Sequence, residues 1–317
     1  MAEKISTRDA YGEALVELGK QNKDIVVLDA DLSVATRTEM FGKVYPERHF
    51  NFGVAEANMI CHAVGLASCG KIPFASSLAV FATGRVWDQI RTSVCYPRAN
   101  VKIVGTHGGI TIGEDGATHH ATEDVAITRA IPGLTVIVPA DAVETKKAVY
   151  ALAEHVGPAY MRIGRAKEAV VLDEDYKFEI GKAVVIKPGV DVSVFACGIM
   201  LAKSIEAAAI LENEGISVEV INVSTIKPLD TETVIKSVMK TGCAVTAEEH
   251  SIIGGLGDAV SQAVLGAYPA PLERIGVNDT FTESGQPDPL LEKYGLTAGT
   301  IAEAARRSFG RKAAAKR

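Results

Sequence analysis

The feature that most constrains this chain is residues 105–124, GTHGGITIGEDGATHHATED. Histidines His107, His119 and His120 and the carboxylates Glu114, Asp115, Glu123 and Asp124 lie there among glycines. Val101-Lys-Ile-Val104 just before it reads as a buried strand. Glycine at this density lets the backbone turn tightly and approach a ligand closely. Histidines and carboxylates on such a loop are equipped for proton transfer or for holding a polar substrate. The alternative is a surface loop with incidental polar residues. A loop of this kind needs a rigid frame, and the rest of the chain offers short apolar strands alternating with amphipathic helices.

Ser6-Thr-Arg-Asp9 predicts a capped helix with apolar positions Tyr11, Ala14, Leu15 and Leu18. Strands are expected over 25–28, 74–80, 101–104, 134–138 and 159–163. Helices are expected from Ala55 onward, over 83–94 around Trp87, and over 142–154 after Pro139-Ala-Asp141. The stretch 164–188 is charged and irregular, and a second alternating pattern follows it: strands over 192–197, 218–223 and 243–247, and helices over 201–214, 231–239 and 257–265. The 317 residues therefore divide into domains at 1–165 and 189–317 with a linker at 166–188. Alternation of this type predicts an α/β fold, doubly wound, with mainly parallel sheets covered on both faces.

A net charge of -6 and the lack of a basic stripe argue against a nucleic-acid partner. The basic tail from Arg311 reads as a solvated end. Cys61, Cys69, Cys95, Cys197 and Cys243 form no CxxC pair and no zinc spacing, as expected for reduced thiols in a cytoplasm. The N-terminal residues lack the apolar core of a signal peptide, and no apolar run is long enough to cross a membrane. The expectation is a cytoplasmic protein without a nucleic-acid or membrane partner.

Six motifs occur in order: Ser6-Thr-Arg8, Asp29-Ala-Asp-Leu-Ser33, Phe52-Gly-Val-Ala-Glu56, Gly105-Thr-His107, Gly113-Glu-Asp-Gly-Ala-Thr-His119 and Ile131-Pro-Gly-Leu-Thr-Val-Ile-Val-Pro-Ala-Asp141. Together they make the chain resemble the C-terminal half of transketolase, a thiamine-diphosphate enzyme, over essentially its whole length. The resemblance implies an aminopyrimidine-binding domain followed by a transketolase C-terminal domain. The diphosphate-binding pattern, GDG followed some dozens of residues later by Asn, is missing; Gly257-Asp-Ala259 departs from it at the third position. A separate N-terminal diphosphate-binding subunit is therefore implied, holding Mg2+ or Ca2+, in an assembly of two chains of each kind. No metal site is expected on this chain.

The resemblance also implies residue roles. Glu56 would hydrogen-bond the aminopyrimidine ring of thiamine diphosphate and promote its proton-accepting tautomer; the alternative is a glutamate complementing a helix N-terminus. Phe81 would stack on that ring, or it is a core phenylalanine. Leu78 replaces an aromatic residue often found in that wall. Asp31 would face the thiazolium side, or it forms an Asx turn. His107, Asp115 and His119 match positions that contact the sugar, with His119 serving proton transfer or bonding the donor's carbonyl and hydroxyl groups. Arg8 and Arg162 match two phosphate-gripping arginines, or they are surface arginines. A serine usually stands where Ala35 falls, with Ser33 and Thr36 close by; the terminal group is then a phosphate, and a sulfonate is compatible. His120 lacks a matching role and is left to cap or pack. Trp87 is expected to be buried. His250, in the glycine-bearing turn 248–255, is assigned to architecture.

The activity implied is transfer of a two-carbon ketol unit from a ketose phosphate to an aldose phosphate. Two rivals share this pattern: the β subunit of 2-oxo acid dehydrogenases and deoxyxylulose-phosphate synthase. The Asp31-Leu-Ser33 and GEDGATH elements favour transketolase. A non-catalytic scaffold paralogue would have no need of Glu56, His107, Asp115 and His119 together.

Overall fold

The computed structural model describes residues 3–315. Its N-terminal half contains strands β1 (Lys4–Ser6), β2 (Ile25–Asp29), β3 (His49–Asn51), β4 (Ile72–Leu78), β5 (Lys102–Thr106), β6 (Thr135–Ile137), β7 (Ala159–Arg162) and β8 (Lys167–Ala169). The C-terminal half adds β9 (Val184–Lys187), β10 (Val192–Ala196), β11 (Val218–Asn222), β12 (Thr225–Lys227), β13 (Ala244–Ser251) and β14 (Leu272–Val277).

The first sheet has the order β12-β6-β7-β5-β4-β2-β3, and every pairing among β2 to β7 is parallel. Strands β2, β4, β5, β6 and β7 are buried, as expected of strands covered on both faces. The second sheet runs β14-β13-β10-β11-β9, parallel except for β9. The α/β architecture with mainly parallel sheets follows the alternation in the sequence.

One of the three buried clusters spans both halves. Val125, Ile131, Val136 and Tyr160 pack in the same buried cluster as Phe195, Ile221, Val223 and Ile226. Strand β12 leaves the C-terminal half to pair antiparallel with β6 at the edge of the first sheet. Two strands also lie inside the stretch read as a linker. Strand β8 pairs antiparallel with β1, and β9 closes the edge of the second sheet. Both are short and partly exposed; β8 (Lys-Glu-Ala) has no apolar run, while the Ala183-Val-Val-Ile186 run that forms β9 is passed over inside a charged stretch.

Helix Ala142–Glu154 has the predicted bounds, because Asp141 caps it by accepting the Glu144 N–H at 3.0 Å. Helix Thr7–Gln21 begins where expected, but its serine does not cap it. The Ser6 hydroxyl donates to Arg165 O at 3.0 Å and the Thr7 hydroxyl to Gly164 O at 3.3 Å, so both tie the helix start to the chain after β7. The single helix expected over 83–94 is broken into short pieces and ends in a π-helical turn, Ile90–Cys95. The basic tail continues as helix Ala298–Ala315, with Arg311 paired to Glu273 at 2.7 Å; Lys316 and Arg317 lie outside the described residues.

Candidate active site

In an open parallel sheet, ligands bind outside the carboxyl ends of the strands, where neighbouring strands connect in opposite directions. Here β2 leads outward to β3 while β4 leads the other way to β5, so the switch lies between β2 and β4. The predicted site residues follow those strand ends. Leu32 and Ala35 come after β2, Glu56 after β3, Leu78 and Phe81 at the end of β4, and His107 directly after β5.

Arg8, Leu32, Ala35, Leu78, Phe81, His107, Asp115, His119 and Arg165 line one cleft of about 350 Å³. A second cavity of about 230 Å³ shares Arg8 and Arg165 and continues to Glu114, Gln286 and Pro287. The chain thus brings together residues from five strand ends and from the glycine-rich loop.

Arg8 is half-buried and, among the described residues, has no carboxylate partner within 4.0 Å. Its Nη1 donates to Ala35 O at 2.9 Å and lies 3.4 Å from His107 Nε2, while its buried Nε–H has no acceptor. A guanidinium with a buried orphan donor at a cavity wall is equipped to receive an anion. Arg165 faces the same space, with Nη1 donating to Ile112 O at 2.8 Å and standing 3.5 Å from Asp115.

His107 is 4% exposed and adopts a left-handed backbone, φ 60°, a strained conformation for a non-glycine residue. Its Nδ1 is 2.7 Å from the Thr106 hydroxyl. Burial, followed by the charges of Arg8 and Arg165, pushes its pKa down to about 3, so the imidazole is neutral at physiological pH. The neutral ring leaves Nε2 as an acceptor toward Arg8. The strain and the desolvation meet at the one residue that joins the arginine to the end of β5.

Arg162 stands elsewhere. It is the last residue of a strand buried throughout, and its guanidinium is 4% exposed. Its Nε lies 3.4 Å from Asp124, and Nη2 donates to Glu249 O at 2.6 Å. Burial works against its charge, but Asp124 and Glu249 outweigh that and hold its pKa above the usual value. Arg162 therefore belongs to the seam between the domains, and Arg165 is the arginine of that segment that reaches the cleft. The glycines of the loop fit this arrangement: a Cβ on Gly108 or Gly109 would collide with Arg162 or Glu249.

Glu56 is buried, at the first position of helix Glu56–Ser68. It is not walled in by apolar neighbours, since Val54 is 71% exposed and Arg85 Nη1 donates to Glu56 Oε1 at 2.8 Å. The same Arg85 guanidinium lies over the Phe81 ring at 3.8 Å from its centroid, and the Phe81 ring meets His119 edge-on at 5.3 Å. One planar N–H donor group thus reaches the Glu56 carboxylate and the Phe81 face together. A carboxylate acceptor beside an aromatic face is the set a pyrimidine ring with an N–H uses, and the Arg85 side chain now placed there is 48% exposed. The residues fit the aminopyrimidine half of thiamine diphosphate.

Several expectations change. Asp31 is exposed, with φ 63°, and its side chain is not among the residues lining the cleft. The working carboxylate of that turn is Asp29, which is fully buried and accepts from Leu32 N, Ser33 Oγ and Thr38 Oγ1 and pairs with His49. Burial alone would raise its pKa; hydrogen bonds from His49 and Ser33 reverse that and hold it below the usual value. Because Ser33 is bound to Asp29 and Thr36 to Leu32 O, neither hydroxyl replaces the one missing at Ala35. Trp87 is 37% exposed and donates to Ile127 O at 3.1 Å. His250 is fully buried, with Nε2 accepting from Ala126 N at 3.3 Å and Nδ1 donating to Ser251 O at 2.7 Å. Both ring nitrogens are thus taken up by backbone groups, an architectural position.

Family comparison decides what this cleft belongs to. The profile of the transketolase pyrimidine-binding domain matches residues 3–168, and that of the transketolase C-terminal domain matches residues 181–301. The chain belongs to the transketolase family. A putative transketolase C-terminal section from Methanocaldococcus jannaschii is 49% identical over 93% of this chain and 94% of its own length. A 6-deoxy-6-sulfo-D-fructose transketolase subunit, SqwH, from a Clostridium strain is 46% identical over 96% of this chain and 95% of its own. Human transketolase is 38% identical over 96% of this chain but only 49% of its own length. A solved split-gene transketolase, an inactive β4 tetramer, superposes with a TM-score of 0.92 at 51% identity, covering 97% of this chain and 99% of that one. The chain is thus a C-terminal subunit of a transketolase-type enzyme, a family that depends on thiamine diphosphate. Among the described residues no cluster of histidine, cysteine and carboxylate side chains is arranged to hold a metal ion, and no helix is long and apolar enough to cross a membrane.

Proposed function

We propose that this chain, joined to a separate diphosphate-binding subunit, transfers a two-carbon ketol unit from an anionic ketose to an anionic aldose. The observation that carries this reading is the cleft itself, which gathers Arg8, with its buried Nε–H unbonded, and Arg165 into one cavity with Phe81, His107, Asp115 and His119. Thiamine diphosphate, when bound, supplies the thiazolium that stabilises negative charge on the transferred fragment.

The roles of this chain's residues follow from their surroundings. The Glu56 carboxylate, released from Arg85, hydrogen-bonds the pyrimidine ring, and Phe81 supports the ring's face. Asp115 accepts from a sugar hydroxyl, and His119 moves a proton at the reacting carbon or its oxygen. Neutral His107 accepts at Nε2 and so orders Arg8 and the sugar beside it. Arg8 and Arg165 grip the terminal anion in place of Arg8 and Arg162. The metal, Mg2+ or Ca2+, and the diphosphate belong to the partner, in a 2+2 assembly. Ala35 leaves the anion grip with guanidinium donors and no hydroxyl, which suits a phosphate or a sulfonate; the relative named for a sulfo-sugar gives the second alternative weight.

The test mixes this chain with the diphosphate-binding subunit, Mg2+ and thiamine diphosphate, and assays xylulose 5-phosphate with ribose 5-phosphate and 6-deoxy-6-sulfofructose with the same acceptor. Ketol transfer that requires both chains is the expected result. Release of carbon dioxide from a 2-oxo acid, with no ketol transfer, would overturn it and favour the dehydrogenase reading.

A further inference from the structure

The loop that carries Asp115 and His119 has no helix or strand of its own. Residues 111–119 are turns and coil, closed at the base by the Gly109–Ala121 bridge. Its internal backbone hydrogen bonds close single turns, such as Gly113 N to Ile110 O and His119 N to Gly116 O, so the placement of the turns depends on what they touch. On one side it faces the cleft. On the other it meets residues 282–287, the stretch of the C-terminal domain between β14 and helix Pro287–Lys293.

The contacts there are specific. Thr282 is buried, and its hydroxyl hydrogen-bonds His120 Nδ1. The opposite ring nitrogen, Nε2, donates to Gly113 O at 3.1 Å. His120 is therefore a neutral relay: it accepts from Thr282 and donates to the first residue of the GEDG turn, and burial holds its pKa below the usual value. Gln286 Nε2 donates to Glu114 Oε1 at 2.5 Å. Gly113 and Gly116 have φ of 84° and 75°, and a Cβ on Gly116 would collide with Ser284 Oγ, while one on Gly113 would come within 3.1 Å of Gly285 O. From the cleft side, Arg165 holds Ile112 O at 2.8 Å.

We propose that Thr282 and Gln286 are positioning residues of the substrate site: the C-terminal domain clamps the GEDG loop from behind and so sets where Asp115 and His119 stand. In this arrangement the C-terminal domain takes part in substrate binding without touching the reacting atoms, and Gln286 with Pro287 also lines the second cavity, which shares Arg8 and Arg165 with the cleft. The kinetic consequence rests on the proposed ketol transfer; the structural consequence does not.

The experiment uses Thr282→Val, which keeps the shape and removes the hydroxyl, Thr282→Ser as the conservative rescue, and the exposed Gln286→Ala. Hydrogen–deuterium exchange of the whole chain is read first. Thr282→Val should speed exchange over 113–119 by about ten-fold, the scale of one lost hydrogen bond to a buried acceptor, with the two sheets unchanged and Thr282→Ser restoring protection. With the partner subunit, the same variant and Gln286→Ala should raise KM for the sugar several-fold while kcat stays close to that of the parent. Unchanged exchange over 113–119 overturns the clamp, as does exchange that rises equally throughout the chain, or an unchanged KM in a loosened loop. A loop that loosens in an assembly with no ketol transfer supports the clamp and counts against the proposed function alone.

Discussion

The seam between the domains and the cleft above the strand ends are built from the same residue types, arginine, histidine and carboxylate, yet their hydrogen bonds end in different places. At the seam, Arg162 is closed by Asp124 and Glu249 O, Tyr160 donates to Asp124 at 2.6 Å, and His250 bridges two backbone groups. Glu144, fully buried, accepts from Asn222, Tyr176 and Ala140 N. At the cleft, Arg8 keeps a buried N–H without an acceptor, and His107 sits strained and neutral beside it. The seam leaves acceptor oxygens over, Asp124 Oδ1 and Asn222 Oδ1, but pairs its cation Arg162; the cleft leaves a guanidinium donor over at a cavity wall, where an anion can take it. The pair Arg162 and Arg165 makes the contrast within one turn of chain, for one closes the seam and the other opens onto the cleft.

The comparison can be broken by substitution. In the assembled enzyme, Glu56→Gln should lower the turnover rate by roughly 10²- to 10⁴-fold, with assembly unchanged by sedimentation; turnover near that of the parent would detach Glu56 from the chemistry. Arg162→Met strands Asp124 in the interior and should cost about 3–5 kcal/mol, read as a fall in Tm of roughly 10 °C. Arg165→Ala should leave Tm nearly unchanged and raise KM for an anionic donor by roughly 10- to 100-fold, the worth of a charge-assisted hydrogen bond. If the two arginine variants exchanged phenotypes, the division between seam and cleft would be wrong.

A last effect concerns acid. The folded pKa of His107 is about 3, below an unfolded value of about 6.5. Between those values the unfolded chain binds the extra proton, so stability is complete above about pH 6.5 and declines as pH falls toward 3. Replacing His107 with Gln should flatten the loss of stability between pH 6.5 and 4 by about 1 kcal/mol per pH unit, measured by urea unfolding. Parallel pH profiles for parent and variant would show that the ring is solvated.

Much of this was legible in the sequence, for physical reasons that can be named. Helix Ala142–Glu154 announced itself through Asp141 and a regular apolar period, and the buried strands through apolar runs. The cleft residues Arg8, Phe81, His107, Asp115 and His119 came from the family resemblance that the ordered motifs carry. The errors came where solvation decides. Two arginines three positions apart look alike as letters; one ends a strand buried along its whole length, and the other follows Gly164 into a loop. That buried strand was the signal that could have separated them. Asp31 and Asp29 pose the same problem, since only the fold turns Asp29 inward to His49. Arg85 and Thr282 left no trace, because their partners lie 29 and 162 residues away.

The proposed function gives this chain the pyrimidine and sugar side of a divided site, with the diphosphate and metal held by another chain. Titration of thiamine diphosphate by calorimetry, with Mg2+ present, tests it most directly. The chain alone should show no saturable binding, the mixture with its partner should bind tightly, and Glu56→Gln should weaken that binding without dissolving the assembly. Tight, metal-dependent binding by this chain alone would contradict the account.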